Sequence, residues 1–138
     1  MRLYNVKGRL VSKNVSKYLV DWEAKSRSKT QKATKDFLVE YWRGCVVYEE
    51  FPVYGTRLKV DILNASRMQA VEVQGDQHIK FNKFFHSNSR EKYLDSISRD
   101  MQKHEWLEQN NFQVIEIYQK DIPKLSKEWF EDKFGTIL

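Results

Sequence analysis

The segment Lys59-Val-Asp-Ile-Leu-Asn-Ala-Ser-Arg-Met-Gln-Ala-Val-Glu-Val-Gln-Gly-Asp-Gln-His78 is two short apolar runs joined by a turn, with one carboxylate, Asp61 or Glu72, inside each run. Short runs rich in β-branched residues and bounded by turn formers read as strands. Residues 57–63 and 69–74 are therefore expected to pair across a turn at 64–68. Val60, Ile62, Val71 and Val73 supply one set of alternating positions, which turns Asp61 and Glu72 the other way on their strands. A carboxylate inside a buried strand is costly unless it is paired, hydrogen-bonded or bound to a cation. Two such carboxylates on adjacent strands, with the carbonyl of Val73 and with Gln74 and His78 just beyond, suit a hard divalent cation, Mg²⁺ or Mn²⁺. Such an ion neutralises a scissile phosphate and activates a water nucleophile. In that reading Gln74 orients water and His78 moves a proton near neutral pH. Plainer roles compete: Asp61 capping a strand end, Glu72 pairing with Lys59 across the hairpin, His78 bonded to the backbone of its turn.

Outward from this stretch the pattern alternates between helix and strand. Ala33, Phe37 and Tyr41 recur at helical spacing within residues 30–43, with Ser28 or Thr30 to cap the start and Gly44 to end it. Residues 45–51 are apolar and β-branched and precede Pro52 and a turn at 54–56. Residues 75–88 read as a loop, 89–110 as a long helix with Tyr93, Ile97 and Met101 on its apolar stripe, and 112–118 as a core strand. After a break at 121–123, Ser126 caps a last helix to residue 134, with Trp129 and Phe130 packing inward. This order predicts an α/β fold, a small mixed β-sheet flanked by helices. Residues 1–27 are set apart as a basic N-terminal arm or hairpin, and 28–138 as one domain.

At 138 residues the chain has room for one domain, and its aromatic content of 14% can fill a small core. One cysteine excludes an internal disulfide and fits a reducing compartment; Cys45 reads as a small buried apolar residue. No apolar run is long enough to span a membrane, and residues 1–13 lack a secretory apolar core, so a cytoplasmic location and no membrane partner are expected. The net charge of +5 is uneven: residues 1–35 hold ten Lys/Arg against two Asp/Glu. Such a segment can grip phosphates by releasing their counterions, or can be a solvated surface.

Further residues carry weaker chemistry. Asp100 and Lys103 lie one helical turn apart; they could reach the metal pocket and a phosphate, or form a surface pair. Lys80 and Lys83 interleave with Phe81, Phe84 and Phe85, rings that could stack on bases or anchor a loop. His86 and His104 say less, and no histidine pair has a zinc-like spacing with Cys45. Lys29, Lys32, Lys80, Lys83, Arg90 and Lys103 are the candidate nucleic-acid contacts.

Taken in order, the motifs resemble a known pattern. Ser28-Lys-Thr-Gln-Lys-Ala-Thr-Lys-Asp-Phe-Leu38 resembles the first helix of small nucleases similar to the very-short-patch mismatch repair endonuclease. Val71-Glu-Val-Gln-Gly-Asp-Gln-His78 resembles their apolar-Glu-x-x-Gly-x-x-His strand and turn. Asp100-Met-Gln-Lys103, then 107–111 and Phe112-Gln-Val-Ile-Glu-Ile117, resembles their Asp-x-x-Lys helix and following strand. The group includes phage-borne homing endonucleases of the EDxHD type and belongs to the PD-(D/E)xK nuclease superfamily. The resemblance spans residues 28–120. It implies a nuclease-like fold and a Mg²⁺-dependent DNA endonuclease, with metal at Asp61 and Glu72 and support from Gln74, His78 and Asp100. Two positions depart: Gln31 stands where the family has a helix Glu, and Gln74 where the superfamily often has Lys. Gln74 offers no cation to a transition state. The alternative is a weak or inactive nuclease fold that binds nucleic acid or a host protein. A homodimer would suit paired cuts in a duplex.

Overall fold

The computed structural model describes residues 1–75 and 87–138, with only the backbone of 87–89. In chain order the strands are β1 (Arg2–Tyr4), β2 (Leu10–Ser12), β3 (Val47–Pro52), β4 (Lys59–Asn64), β5 (Gln69–Gln74) and β6 (Gln113–Tyr118). The α-helices are α1 (Lys29–Trp42), α2 (Ser87–Gln109) and α3 (Lys127–Phe134). β1 and β2 form an antiparallel hairpin. The other four make a mixed sheet ordered β3-β4-β5-β6, antiparallel except for the parallel β5–β6 pair that α2 connects. The expected mixed α/β architecture is present.

Local chemistry sets the boundaries. Ser28 caps α1 by accepting from the Gln31 amide at 3.1 Å, and Ser126 caps α3 by accepting from the Trp129 amide at 3.1 Å. Asn64 Oδ1 accepts from the Arg67 amide at 2.9 Å, which folds the β4–β5 turn.

Two cores lie on opposite faces of the sheet. One holds Leu38 and Trp42 of α1, Phe130 of α3, and Val47, Ile62, Val71, Ile115 and Ile117 of the sheet. The other holds Trp106 and Leu107 of α2, Phe51, Tyr54, Val60, Leu63 and Ala70, together with Leu3 and Val15 from the N-terminal segment. The hairpin is tied down by Trp106 Nε1, which donates to the Tyr4 carbonyl at 2.6 Å, and by Asn110 Oδ1, which accepts from the Tyr4 amide at 2.8 Å.

Three expectations are corrected. Val60 does not share a face with Ile62, Val71 and Val73: it packs in the α2 core and they pack in the α1 core. The alternation breaks because Glu50, opposite Asp61, sits at φ +53°, between the ladder pairs Glu49–Ile62 and Phe51–Val60. The apolar stripe expected on α2 is not its buried face. Ile97 and Met101 are exposed, as is Leu94 near them, whereas Leu107, also expected near the stripe, is buried and holds α2 together with Trp106. Cys45 is half-buried with a free thiol rather than fully inside.

Candidate functional site

β4 and β5 pair regularly only from Ile62–Val71 to Asn64–Gln69. Beyond that rung the two carboxylates take over the bonding. The Asp61 amide donates to Glu72 Oε2 at 3.0 Å, and the Val73 amide donates to Asp61 Oδ2 at 2.7 Å. Each acid thus satisfies a backbone donor on the other's strand, and both are buried, at 4% and 2% exposure. Glu72 Oε1 receives Lys103 Nζ of α2 at 2.6 Å. This lysine, not Lys59, is its partner.

Two negative groups this close and this dry resist ionisation. Burial, then the Asp61 charge, pushes the Glu72 carboxyl up to about 7, against the pull of Lys103. Burial likewise raises Asp61, opposed by its bond from Val73 and by the charges of Lys103 and Arg27. Glu50 adds to the negative field at Asp61. A buried pair held above the ordinary carboxylate range is a site with room for another positive charge. Mg²⁺ is commonly held by one or two carboxylates, with water and substrate oxygens filling the rest. The donor set at Asp61 and Glu72 fits that requirement. Among the described residues no three His, Cys, Asp or Glu side chains converge as a metal-holding group.

Beside Lys103 opens a cavity of about 300 Å³ lined by Arg27, Arg57, Leu58, Lys59, Ser96, Arg99, Asp100 and Lys103. Five of the eight are cationic and one is acidic. Asp100 therefore stands on the wall of this cavity. Gln74 is buried at the end of β5, in register with Tyr118. Of the other candidates, Lys32 is engaged by the Trp22 carbonyl at 3.1 Å and by Asp36 at 2.6 Å. Lys29 borders a shallow cleft at the start of α1, and Arg90 is exposed on α2. His78, Lys80 and Lys83 lie outside the described residues, as do Phe81, Phe84, Phe85 and His86.

Sequence reading missed a second acidic layer. Gln31 Nε2 donates to Glu49 Oε2 at 2.9 Å and to Glu50 Oε1 at 3.2 Å. Lys35, fully buried, donates to Glu49 Oε1 at 3.0 Å and to the Asp21 and Ala24 carbonyls, both at 2.8 Å. The signal was available: Glu49-Glu50 is a tandem acid inside an apolar strand, just like Asp61 and Glu72. Also missed was His104, whose Nε2 lies 3.1 Å from Glu116 Oε1, while Tyr118 donates to Glu116 Oε2 at 2.8 Å. Glu116 is the β6 register partner of Glu72, so α2 sets consecutive basic residues, Lys103 and His104, against neighbouring acids. The Glu116 contact raises His104 and, in return, lowers Glu116.

Comparison with known proteins adds one partial likeness. The chain is 35% identical over 66 residues to "Uncharacterized protein 033L" of Invertebrate iridescent virus 3, a stretch covering 48% of this chain and 34% of that protein. The chain thus spans about a third of that relative's length. No family model matches, and no solved structure matches. Among the described residues no helix is long and apolar enough to cross a membrane.

Proposed function

We propose that this chain is a divalent-cation-dependent DNA endonuclease. Asp61 and Glu72 would hold Mg²⁺ or Mn²⁺, and the basic cavity beside them would receive the phosphate backbone. The observation that carries the reading is the reciprocal bonding of two buried carboxylates at a strand splay, with a lysine delivered to one of them from the opposite layer. A purely structural pair of this kind is expensive to bury. A divalent cation bound there would neutralise phosphate charge and lower the pKa of a bound water. The residues around it divide the remaining work. Lys103 places a positive charge beside Glu72, which Gln74 cannot supply. Arg27, Arg57, Lys59 and Arg99 hold the strand, and Asp100 orients groups at the cavity wall. The resemblance of residues 28–120 to very-short-patch-repair-like and EDxHD nucleases supports the same reading. The iridescent-virus relative fits a viral or mobile-element setting; being uncharacterised, it supplies no activity.

A second reading, a nuclease fold that binds DNA without cutting it, draws on two features. Gln31 and Gln74 replace an acid and a lysine, and Lys103 already neutralises Glu72.

Closed-circular duplex, linear duplex and single-stranded DNA are incubated with wild type and with Asp61→Ala, in Mg²⁺, Mn²⁺ and EDTA. The endonuclease reading expects cleavage by wild type in metal only, and loss of it in the variant. Equal nicking by both proteins would remove the catalytic claim. Binding without any cleavage would favour the second reading.

A further inference from the structure

Lys103 is shared between two environments. Its Nζ is 2.6 Å from Glu72 Oε1, and its side chain also lines the cavity bounded by Arg27, Arg57, Lys59 and Arg99. Only one described acid, Asp100, faces those cations across the cavity. Without a ligand the cavity is therefore strongly positive, while the acidic pair next to it has Lys103 as its ion-pair partner. A cation held by Asp61 and Glu72 would repel Lys103 from Glu72. A tetrahedral oxyanion arriving in the cavity attracts Lys103 towards itself. Each event favours the other through one flexible side chain.

We propose that Lys103 couples binding of a nucleic-acid phosphodiester in the cavity of Arg27, Arg57, Lys59 and Arg99 positively to divalent-cation binding at Asp61 and Glu72. The inference rests on the proposed cation site, but not on cleavage. Coupling between binding sites is reciprocal, so it can be read from either ligand.

Mn²⁺ binding is measured by the electron paramagnetic resonance of free Mn²⁺, with sulfate as the oxyanion and chloride at matched ionic strength as its control. Binding of a fluorescent short oligothymidylate is measured by anisotropy in EDTA, with sulfate as competitor. Wild type is expected to bind Mn²⁺ roughly fivefold or more tightly with sulfate present. Lys103→Met is expected to bind Mn²⁺ more tightly than wild type in chloride and to lose the sulfate effect. Arg57→Ala, which leaves Glu72 and its partner in place, is expected to weaken both the oligothymidylate and the sulfate response. Displacement of the oligothymidylate by sulfate supports a backbone phosphate as the occupant. Sulfate coupling without displacement overturns that occupant in favour of a free oxyanion. Mn²⁺ binding that ignores both sulfate and Lys103→Met overturns the coupling and leaves the endonuclease reading standing. No Mn²⁺ binding at all overturns both. Coupling in a protein that cuts no DNA supports this inference while the endonuclease reading fails.

Discussion

Asp61 and Glu72 each accept a backbone hydrogen bond from the other's strand, at 2.7 and 3.0 Å, where the β4–β5 ladder gives way. The sheet thereby turns a break in its own hydrogen bonding into a fixed, buried, acidic pair. Glu72 is held by the Asp61 amide and by Lys103, and Asp61 by the Val73 amide.

The first consequence is a pH dependence of stability in EDTA. Glu72 stands near 7 in the folded protein, above the ordinary carboxylate value of 4.5. Between those values the folded state binds more protons than the unfolded state, so stability falls as pH rises. Denaturant titrations from pH 4.5 to 8 are expected to show a decline on the order of a few kcal/mol in this window. Glu72→Gln should flatten it, and Mg²⁺ should restore stability at pH 8 while doing little at pH 5. A wild-type profile as flat as the variant's would show that Lys103 already neutralises the pair fully.

Lys35 makes a different demand. It is fully buried and divides its donors among Glu49 and two carbonyls of the segment before α1. Removing one partner of a buried pair strands the other. Lys35→Ala is expected to lose about 3–5 kcal/mol in chemical denaturation. Lys35→Ala combined with Glu49→Ala should be less destabilised than the two single losses added.

The hairpin of residues 2–12 hangs on α2 through Trp106. Trp106→Ala removes a buried ring and the donor to the Tyr4 carbonyl, and is expected to cost about 3–5 kcal/mol. Trp106→Phe keeps most of the ring but not the donor, and is expected to cost about 1–3 kcal/mol. Limited proteolysis should cut the variants first within residues 5–9. Equal protection of wild type and Trp106→Ala would place the anchor elsewhere.

His104 and Glu116 give a smaller effect of opposite pH sense. His104 is raised by Glu116, so its contribution is fully present below its unfolded value of 6.5 and is lost as pH rises through the folded value. Glu116 is lowered by His104, so its contribution is present above 4.5 and is lost as pH falls through the folded value. His104→Asn is expected to cost about 1 kcal/mol or less near pH 6, where both groups are charged, and almost nothing at pH 9. Thermal melts of both proteins at the two pH values check it.

The elements whose identity depends on local chemistry were legible in the chain. Ser28 and Ser126 announced helix starts, and β-branched runs announced β3 to β6, because capping and strand patterning act over a few neighbours. Asp61 and Glu72 stood out because an acid inside an apolar run needs a reason. What escaped was tertiary. Nothing near Lys103 in sequence says that it meets Glu72, 31 positions away. Leu94, Ile97 and Met101 have core-like spacing yet face outward, since spacing reports a stripe and not what covers it. Glu50 broke the strand alternation through its backbone conformation, a feature no side-chain pattern carries.

Cation occupancy of the acidic pair is read directly from the anomalous signal of a crystal soaked in Mn²⁺. One strong peak is expected at the carboxylates of Asp61 and Glu72, with Lys103 displaced from Glu72 towards the basic cavity. A well-ordered site with no peak there, and with Lys103 still bound to Glu72 at high Mn²⁺, would contradict it.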